Sequence, residues 1–268
     1  MDSLYSIRGP RSLYEMTWEE VQEILARTDL ILVPVGSTEQ HGPHLPLGAD
    51  AMQADDLCRR VVAKLAEQGR TAVSAPVVPF GIASHHMDFP GTITLSSMTF
   101  FNMLKEVCLS LYKHGFRRFV LVLGHGGNLP MMQAVAHEVV ASTPDAEVIV
   151  PNWIKPMTEK YSEILTSKKK ESHAGEGETS RMLATVPELV QMQRARAYRS
   201  ERAERLENKN HPLLGGGIFR GNRTMKQGTP IGNIGDPTLA KAETGEKLYD
   251  VAVNWLVAVI QQEFPQGE

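Results

Sequence analysis

Side chains that commonly bind metal ions are concentrated in one segment near the start of the chain. Glu39 and His41 are two residues apart, so in an extended segment both side chains leave the same face. Asp50 follows within the same twelve-residue stretch, at the start of an amphipathic pattern, where a lone aspartate more often caps a helix. Three ligand types so close together, among glycines and prolines, favour a metal site.

A glycine-rich turn forms the second group of chemically capable residues. It reads Gly124–Asn128 (GHGGN) and follows an apolar, strand-like run. Such turns can hold phosphate groups, but neither GxGxxG nor GxxxxGK[ST] is present, and a histidine in the turn suits metal coordination better. We therefore expect His125 to be a metal ligand rather than a core histidine.

The third group, at 172–180, opens a helical pattern and carries His173, Glu176 and Glu178. Carboxylates in a first helical turn suit the positive end of the helix dipole, but this explains neither His173 nor the two neighbouring glycines. A hydrolase needs a group that handles the proton of the leaving group. We predict that His173 has this role.

All three groups lie after a strand or at the start of a helix, where ligand sites of parallel α/β sheets gather. Hard and borderline ligands from several strand ends suit a hydrolase site with two divalent ions, either Zn²⁺, Mn²⁺ or Fe²⁺. Asp50 is the natural bridge between the two ions. A small-molecule substrate is the expected partner.

The elements that must position these residues alternate between strand-like and amphipathic runs, which predicts an α/β fold with a mainly parallel sheet and helices on both faces. The predicted strands are Leu30–Val35, Ala72–Val78, Phe119–Leu123 and Glu147–Val150. The predicted helices are Thr17–Arg27 with a Thr17/Glu20 capping box, Ala49–Ala66, Met98–His114, Pro130–Ala141 and Lys241–Phe264.

Two stretches near the end of the chain differ in composition from the rest. Residues 190–210 are strongly charged with mixed sign, which predicts a solvated segment. Residues 211–238 hold seven glycines and three prolines, which predicts a long loop. No internal repeat or low-complexity linker interrupts the chain, so we predict a single domain over 1–268.

Composition excludes several classes of function. Lysine and arginine number 28 against 31 acidic residues, a net charge of −3, which gives no electrostatic reason to expect a nucleic acid or an anionic membrane as partner. No apolar run is long enough for a membrane span, and the first residues lack the apolar stretch of a signal peptide.

Cys58 and Cys108 sit in separate helical patterns, so a cysteine zinc site and a disulfide framework are not expected. We expect a cytoplasmic protein.

Four motifs in order resemble the creatininase family of metal-dependent amidohydrolases over about residues 15–265. They are GSTEQHGPHLPLGAD (36–50), HMDFPGT (86–92), GHGGN (124–128) and HAGEGETS (173–180). The resemblance implies a three-layer α/β/α sandwich, a dinuclear metal site and a homo-oligomer, often a hexamer. It also implies that Glu39, His41, Asp50 and His125 are metal ligands, with Asp50 bridging, and that His173 is catalytic.

One departure from the family pattern concerns the glycine-rich turn. In creatininase itself this turn reads GHYEN and its glutamate is a ligand, whereas the matching position here is Gly127. We expect Glu176 to supply the missing carboxylate and Glu178 to support catalysis, although the two could exchange roles. His86, Asp88 and Asn128, which belong to the matching motifs, are expected to contact the substrate.

The resemblance also limits the substrate. The Trp-Asp pair that creatininase has before its catalytic histidine is absent, and Lys168–Glu171 stands there instead, which argues against creatinine. We predict hydrolysis of a C–N bond in a small polar, cyclic amide, as in amidohydrolases and deformylases. The alternatives are C–C hydrolysis of a cyclic keto-inositol such as 3-dehydro-scyllo-inosose, and a binding protein without catalysis.

Overall fold

A parallel sheet forms the centre of the molecule in the computed structural model, which describes residues 9–168, 171, 173–199 and 224–266. Its strands are β1 (Leu30–Val35), β2 (Val73–Ser74), β3 (Arg118–Leu123) and β4 (Glu147–Ile149), in the order β2-β1-β3-β4. β1 and β3 pair along their whole length, from Leu30 opposite Arg118 to Val35 opposite Leu123. Every pairing in this four-stranded sheet is parallel.

In the described residues, one helix precedes the first strand, three lie in the connections between strands, and four follow the last strand. They are α1 (Trp18–Leu25), α2 (Ala49–Glu67), α3 (Ser97–His114), α4 (Leu129–Ser142), α5 (Ile154–Glu159), α6 (Tyr161–Ile164), α7 (Glu176–Thr185) and α8 (Ala242–Glu263). Short 3₁₀ turns occur at Leu13–Glu15, Ser84–His86, Gly126–Asn128, Pro187–Leu189, Met192–Arg194, Met225–Gln227 and Pro237–Leu239. The capping box at the start of α1 is confirmed, because Thr17 N–H donates to Glu20 and Glu20 N–H donates to Thr17 Oγ1.

The two faces of the sheet bury separate apolar cores. In β1, Leu30 and Leu32 belong to one core, whereas Ile31, Val33 and Val35 belong to the other, as the alternation of a strand requires. Helices α2, α5 and α8 cover the first face, and α3 and α4 cover the second. The expected α/β/α sandwich with a parallel sheet is therefore confirmed.

The second strand is much shorter than the predicted run Ala72–Val78. Only Val73–Ser74 pairs as a strand, and Val78 returns to β1 in a single bridge to Val35. Pro76 lies between them and has no N–H group to donate to a sheet ladder. The chain therefore leaves the sheet at this proline and meets the end of β1 again at Val78.

The composition-biased stretches are described only in part. Residues 190–199 contain the 3₁₀ turn Met192–Arg194, and 224–238 contain Met225–Gln227 and Pro237–Leu239. The remainder of the predicted charged segment and glycine-rich loop, 200–223, lies outside the described residues. Within the described ranges, no helix combines the length and apolar character needed to cross a membrane.

Candidate metal centre

The candidate site lies at the carboxyl ends of β1 and β3. The loop after β1 carries Glu39 and His41, the first turn of α2 carries Asp50, and the turn after β3 carries His125. All four side chains are buried. Glu178, in the first turn of α7, completes the group from the other side.

Asp50 stands between two sets of side chains. Its Oδ1 atom lies 3.1 Å from His41 Nε2, and its Oδ2 atom lies 3.1 Å from His125 Nδ1. Glu39 Oε2 is 3.0 Å from the same His125 nitrogen, and Glu178 Oε1 is 3.7 Å from the same His41 nitrogen. Two groups able to hold a metal ion therefore share Asp50, one with Glu39 and His125 and one with His41 and Glu178.

The hydrogen bonds of the two histidines determine what this arrangement can bind. His41 Nδ1–H donates to the carbonyl of Glu39 (3.0 Å), and His125 Nε2–H donates to the carbonyl of Ile82 (3.1 Å). A carbonyl only accepts, so in the neutral ring the other nitrogen of each histidine carries a lone pair. That lone pair faces two carboxylates in each case. Metal-binding histidines are held in this way, with the second ring nitrogen donating to a carbonyl.

Two carboxylate oxygens at the centre of the site have no hydrogen bond. Glu39 Oε2 and Asp50 Oδ2 are fully buried and accept none, although His125 Nδ1 is close to both. Buried charged oxygens without a partner are costly. Converging acceptors of this kind fit a divalent cation, so the residues present suit the metal centre expected of the site.

The local charges also favour positive charge at this point. Burial lowers the pKa of His41, but Asp50 and Glu178 outweigh it and raise the pKa well above its usual value. His125 behaves in the same way, because Glu39 and Asp50 outweigh its burial. In the absence of a metal ion, protons on the two rings balance the carboxylates, and a cation would replace them.

Glu176 does not join this group, contrary to expectation. Its carboxylate accepts hydrogen bonds from the backbone N–H groups of Thr166 (2.6 Å) and Ser167 (2.9 Å) and is fully buried. Residues two apart on a helix point to different sides, so Glu176 and Glu178 cannot both face the site. The prediction that Glu176 supplies the missing carboxylate is wrong in this structure, and Glu178 lies in that place.

The glycine-rich turn has no room for a side chain at Gly127. A Cβ atom there would lie 2.4 Å from His125 Nε2 and 2.6 Å from the carbonyl oxygen of Ile82. It would therefore stand in the hydrogen bond that orients His125. This close approach leaves no space for a side chain at Gly127 in this structure.

His173 lies beside the candidate centre. Its Nε2–H donates to the carbonyl of Gln40 (2.8 Å), and its ring centroid is 4.5 Å from that of His41. The backbone N–H of Ile234 donates to the carbonyl of His173 (2.8 Å), which fixes this segment against the 229–235 loop. Burial lowers the pKa of His173, and the charge of His41 lowers it further. The residue can also form a ligand group with Glu39 and His41.

The three expected substrate contacts do not converge on an open site. Asn128 is fully buried; its amide NH₂ donates to the Gly36 carbonyl and its Oδ1 accepts from Ile82 N–H. His86 is buried behind Glu39, with its Nε2 atom 3.3 Å from that carboxylate. In this structure both side chains have partners within the protein, and their contact with a substrate stays a prediction. Asp88 is exposed and accepts a hydrogen bond from the Thr224 hydroxyl.

Sequence reasoning overlooked Gln40, which joins the loops around the site. Its amide NH₂ donates to His86 Nδ1 (2.8 Å) and to the carbonyl of Gly232 (3.0 Å), and its Oε1 accepts from Gly42 N–H (3.0 Å). The signal was its position between the candidate ligands Glu39 and His41. A polar side chain between two ligands points to the opposite face of an extended segment, where it can support them.

Glu171 was also overlooked. Its carboxylate accepts the backbone N–H groups of Glu176 and Gly177, at the start of α7. Burial raises its pKa to about 8. Glu171 therefore holds the helix that carries Glu178, and only the fold reveals this contact.

Comparison with known proteins identifies the family of this chain. The creatininase family model, described as creatinine amidohydrolase, matches residues 14–260. The chain belongs to the creatininase family. It is 29% identical over 266 residues to the 3-dehydro-scyllo-inosose hydrolase of Thermotoga maritima. That alignment covers 94% of this chain and 84% of the relative. It is 31% identical over 273 residues to the mycofactocin precursor peptide peptidase of Mycobacterium tuberculosis. That alignment covers 100% of this chain and 98% of the relative.

Solved structures of the family share the fold, and some of them are described as metal forms. A manganese form of creatininase has a TM-score of 0.78 with 25% identity, over 96% of this chain and 100% of that one. A zinc–zinc form of a creatininase mutant has a TM-score of 0.76, also with 25% identity and with the same coverage. The chain is thus a creatininase-family hydrolase with a candidate metal centre.

Proposed function

We propose that the protein is a hydrolase that uses two divalent metal ions to cleave a C–N bond in a small polar amide. The observation that carries the proposal is the position of Asp50, whose two carboxylate oxygens face different histidines. Glu39 and His125 would hold one ion with Asp50, and His41 and Glu178 would hold the other. Zn²⁺, Mn²⁺ and Fe²⁺ all suit this set of oxygen and nitrogen ligands.

Each part of the site has a chemical task in this proposal. The bound ions would polarise the substrate carbonyl and lower the pKa of a water molecule. His173 would carry the proton to the leaving group, since its Nε2–H bond to Gln40 leaves Nδ1 as the available acceptor. A binding protein without catalysis would need no histidine beside the ligands, so His173 favours the enzyme.

A second candidate substrate class follows from one relative. The similarity to a 3-dehydro-scyllo-inosose hydrolase supports cleavage of a C–C bond next to a ketone of a cyclic polyol. The same ions and the same proton carrier would serve both reactions, because each begins at a carbonyl. We also propose a homo-oligomer, which light scattering would test.

Metal content and turnover, measured together, test the proposal. The panel contains formamides, lactams, short peptides and keto-inositols, and the variants are Asp50→Asn and the control Asp250→Asn, an exposed aspartate on α8. We expect about two ions per wild-type and Asp250→Asn chain, and less than one together with loss of turnover in Asp50→Asn. Two retained ions in folded Asp50→Asn would refute the bridging role, and no turnover by the metal-loaded wild type on any panel member would refute the substrate class.

A further inference from the structure

His85 lies next to the candidate centre and has no assigned role. Its ring stacks on that of His125, with centroids 5.7 Å apart and planes inclined by 18°, and it is 4.3 Å from the ring of His86. The side chain is half-buried. It therefore stands beside the Glu39 and His125 half of the site, in partial contact with solvent.

The backbone around His85 is held in place. Ala83 N–H donates to Thr94 Oγ1 (3.0 Å), and His86 N–H donates to the carbonyl of Ala83 (2.9 Å), which closes a 3₁₀ turn. The carbonyl of Ile82 in turn accepts from His125. The backbone that carries His85 therefore belongs to the same loop that orients a proposed metal ligand.

The hydrogen bonding of His85 differs from that of the other histidines around the site. His41, His125, His86 and His173 each contact a protein group through a ring nitrogen within 3.1 Å. No group in the described part of the chain hydrogen-bonds to the ring of His85. An imidazole in either protonation state presents at least one N–H donor. A half-buried ring that stacks on His125, and whose donor has no partner in the described part of the chain, is suited to bind an acceptor that enters the site.

We infer that His85 is a substrate-binding residue that donates a hydrogen bond to an oxygen atom of the substrate other than the one at the cleaved carbonyl. This inference rests on the proposed function. Since His85 stacks directly on His125, the oxygen belongs to a hydroxyl or carbonyl group within a few bonds of the cleaved carbonyl. The structure thereby favours oxygen-rich substrates, such as hydroxylated amides or polyols, over simple alkyl amides.

Hydroxamates that differ by one hydroxyl group test this inference, because the hydroxamate binds metal ions and the hydroxyl probes His85. The probes are acetohydroxamate, glycolohydroxamate and 3-hydroxypropanohydroxamate, and their Kd values are measured by calorimetry on metal-loaded protein. We expect at least one hydroxylated probe to bind about 5-fold more tightly than acetohydroxamate, the size of one net hydrogen bond.

The variants separate hydrogen bonding from ring packing. His85→Phe keeps a ring against His125 but has no donor, His85→Gln restores a donor, and His137→Phe is the control on an exposed face of α4. The hydroxyl advantage should vanish in His85→Phe, return in part in His85→Gln and persist in His137→Phe. Metal content and acetohydroxamate affinity should stay unchanged in all three.

Failure of the inference differs from failure of the proposed function. If metal-loaded wild type does not bind acetohydroxamate, the proposed metal site is wrong. If acetohydroxamate binds but the hydroxyl gives no advantage, or if His85→Phe retains the advantage, the substrate-binding role of His85 is overturned. Loss of metal or of acetohydroxamate affinity in both His85 variants would overturn it too, because His85 would then support His125 instead.

Discussion

At the scale of single residues, the site is defined by how two histidines are oriented. His41 and His125 each donate one ring N–H to a backbone carbonyl and turn the other nitrogen toward two carboxylates. Three acceptors that converge in a buried space repel one another unless a proton or a cation lies between them. With the rings in this orientation, positive charge stabilises the site, and a metal ion would supply that charge.

The two glutamates of α7 have different expected roles. Glu178→Gln removes a charged oxygen beside His41, so the variant should lose about one of two metal ions. Glu176→Gln keeps a carbonyl oxygen but removes the charge that accepts from Thr166 and Ser167, so both ions should remain while the free energy of unfolding falls by about 1–3 kcal/mol. Metal analysis and urea denaturation of both variants provide the measurement. Metal loss in Glu176→Gln with full metal in Glu178→Gln would reverse the assignment.

His173 should affect the chemical step more than metal binding. Its ring nitrogen donates to the carbonyl of Gln40, so removal of the side chain takes away a proton carrier and leaves the four buried ligands in place. In His173→Ala we expect both ions to remain and kcat to fall about 10²- to 10⁴-fold. Turnover and metal content are measured on the same preparation. A lost ion would make His173 a ligand, and near-normal turnover would make it structural.

Residue types and spacing predicted much of the site but not its details. The acidic and histidine residues near 39–50, 125 and 173–178 do come together, because the carboxyl ends of parallel strands meet at one edge of the sheet. The choice between Glu176 and Glu178 could not be predicted, since it depends on how α7 is rotated and on backbone donors at 166 and 167. The burial of Asn128 and His86 could not be predicted either, because their hydrogen-bond partners are distant in sequence.

At the scale of elements, the turn between β3 and α4 sets the geometry of His125. Asn128 ties this turn to Gly36 after β1 and to the loop at Ile82. The apolar runs predicted β1 at its observed bounds, and β3 within one residue, since both strands are buried on both faces. The sequence overestimated β2, where Pro76 ends the pairing.

Gly127 is where this turn is most sensitive to substitution. In Gly127→Ala the new methyl group would collide with His125 Nε2 and the carbonyl oxygen of Ile82, so the hydrogen bond between them must break. We expect the variant to fold and to lose most of the ion held by Glu39 and His125. Gly69→Ala is the control for glycine substitution, because a Cβ there meets no atom within 4 Å and its strain comes from the backbone alone. Full metal content in folded Gly127→Ala would contradict this account of the turn.

At the scale of the whole molecule, the last helix of the chain fixes the helix that carries Glu178. Helices α7 and α8 cross closely at Gly245, where a Cβ atom would lie 2.0 Å from the Ser180 carbonyl oxygen. Lys241 N–H also donates to Ser180 Oγ (3.1 Å). The C-terminal part of the chain therefore positions one side of a site whose other ligands come from the first half. This long-range dependence links metal binding to the stability of the complete fold.

Metal removal should make that stability depend on pH. In the metal-free protein, the carboxylates raise the pKa of His41 and His125 well above 6.5. Groups whose pKa is raised by folding stabilise the protein fully below their unfolded pKa, and this contribution is lost as pH rises through the folded pKa. Asp50 and Glu178, whose pKa values are lowered, are already ionised above pH 6 and add no slope there.

We therefore expect the Tm of chelator-treated protein to fall between pH 6 and pH 9, as His41 and His125 lose their protons. Each unit by which folding raises the pKa of one of these histidines should correspond to about 3 °C of Tm. The metal-loaded protein should change less, because bound ions replace the protons on both rings. The Tm difference between the two forms, measured by calorimetry at several pH values, should thus widen as pH rises. In Asp50→Asn, which lacks the charge that both histidines share, the metal-free slope should be reduced. A difference that is constant or narrows with rising pH would contradict a site whose protons and metal ions compete for the same histidines.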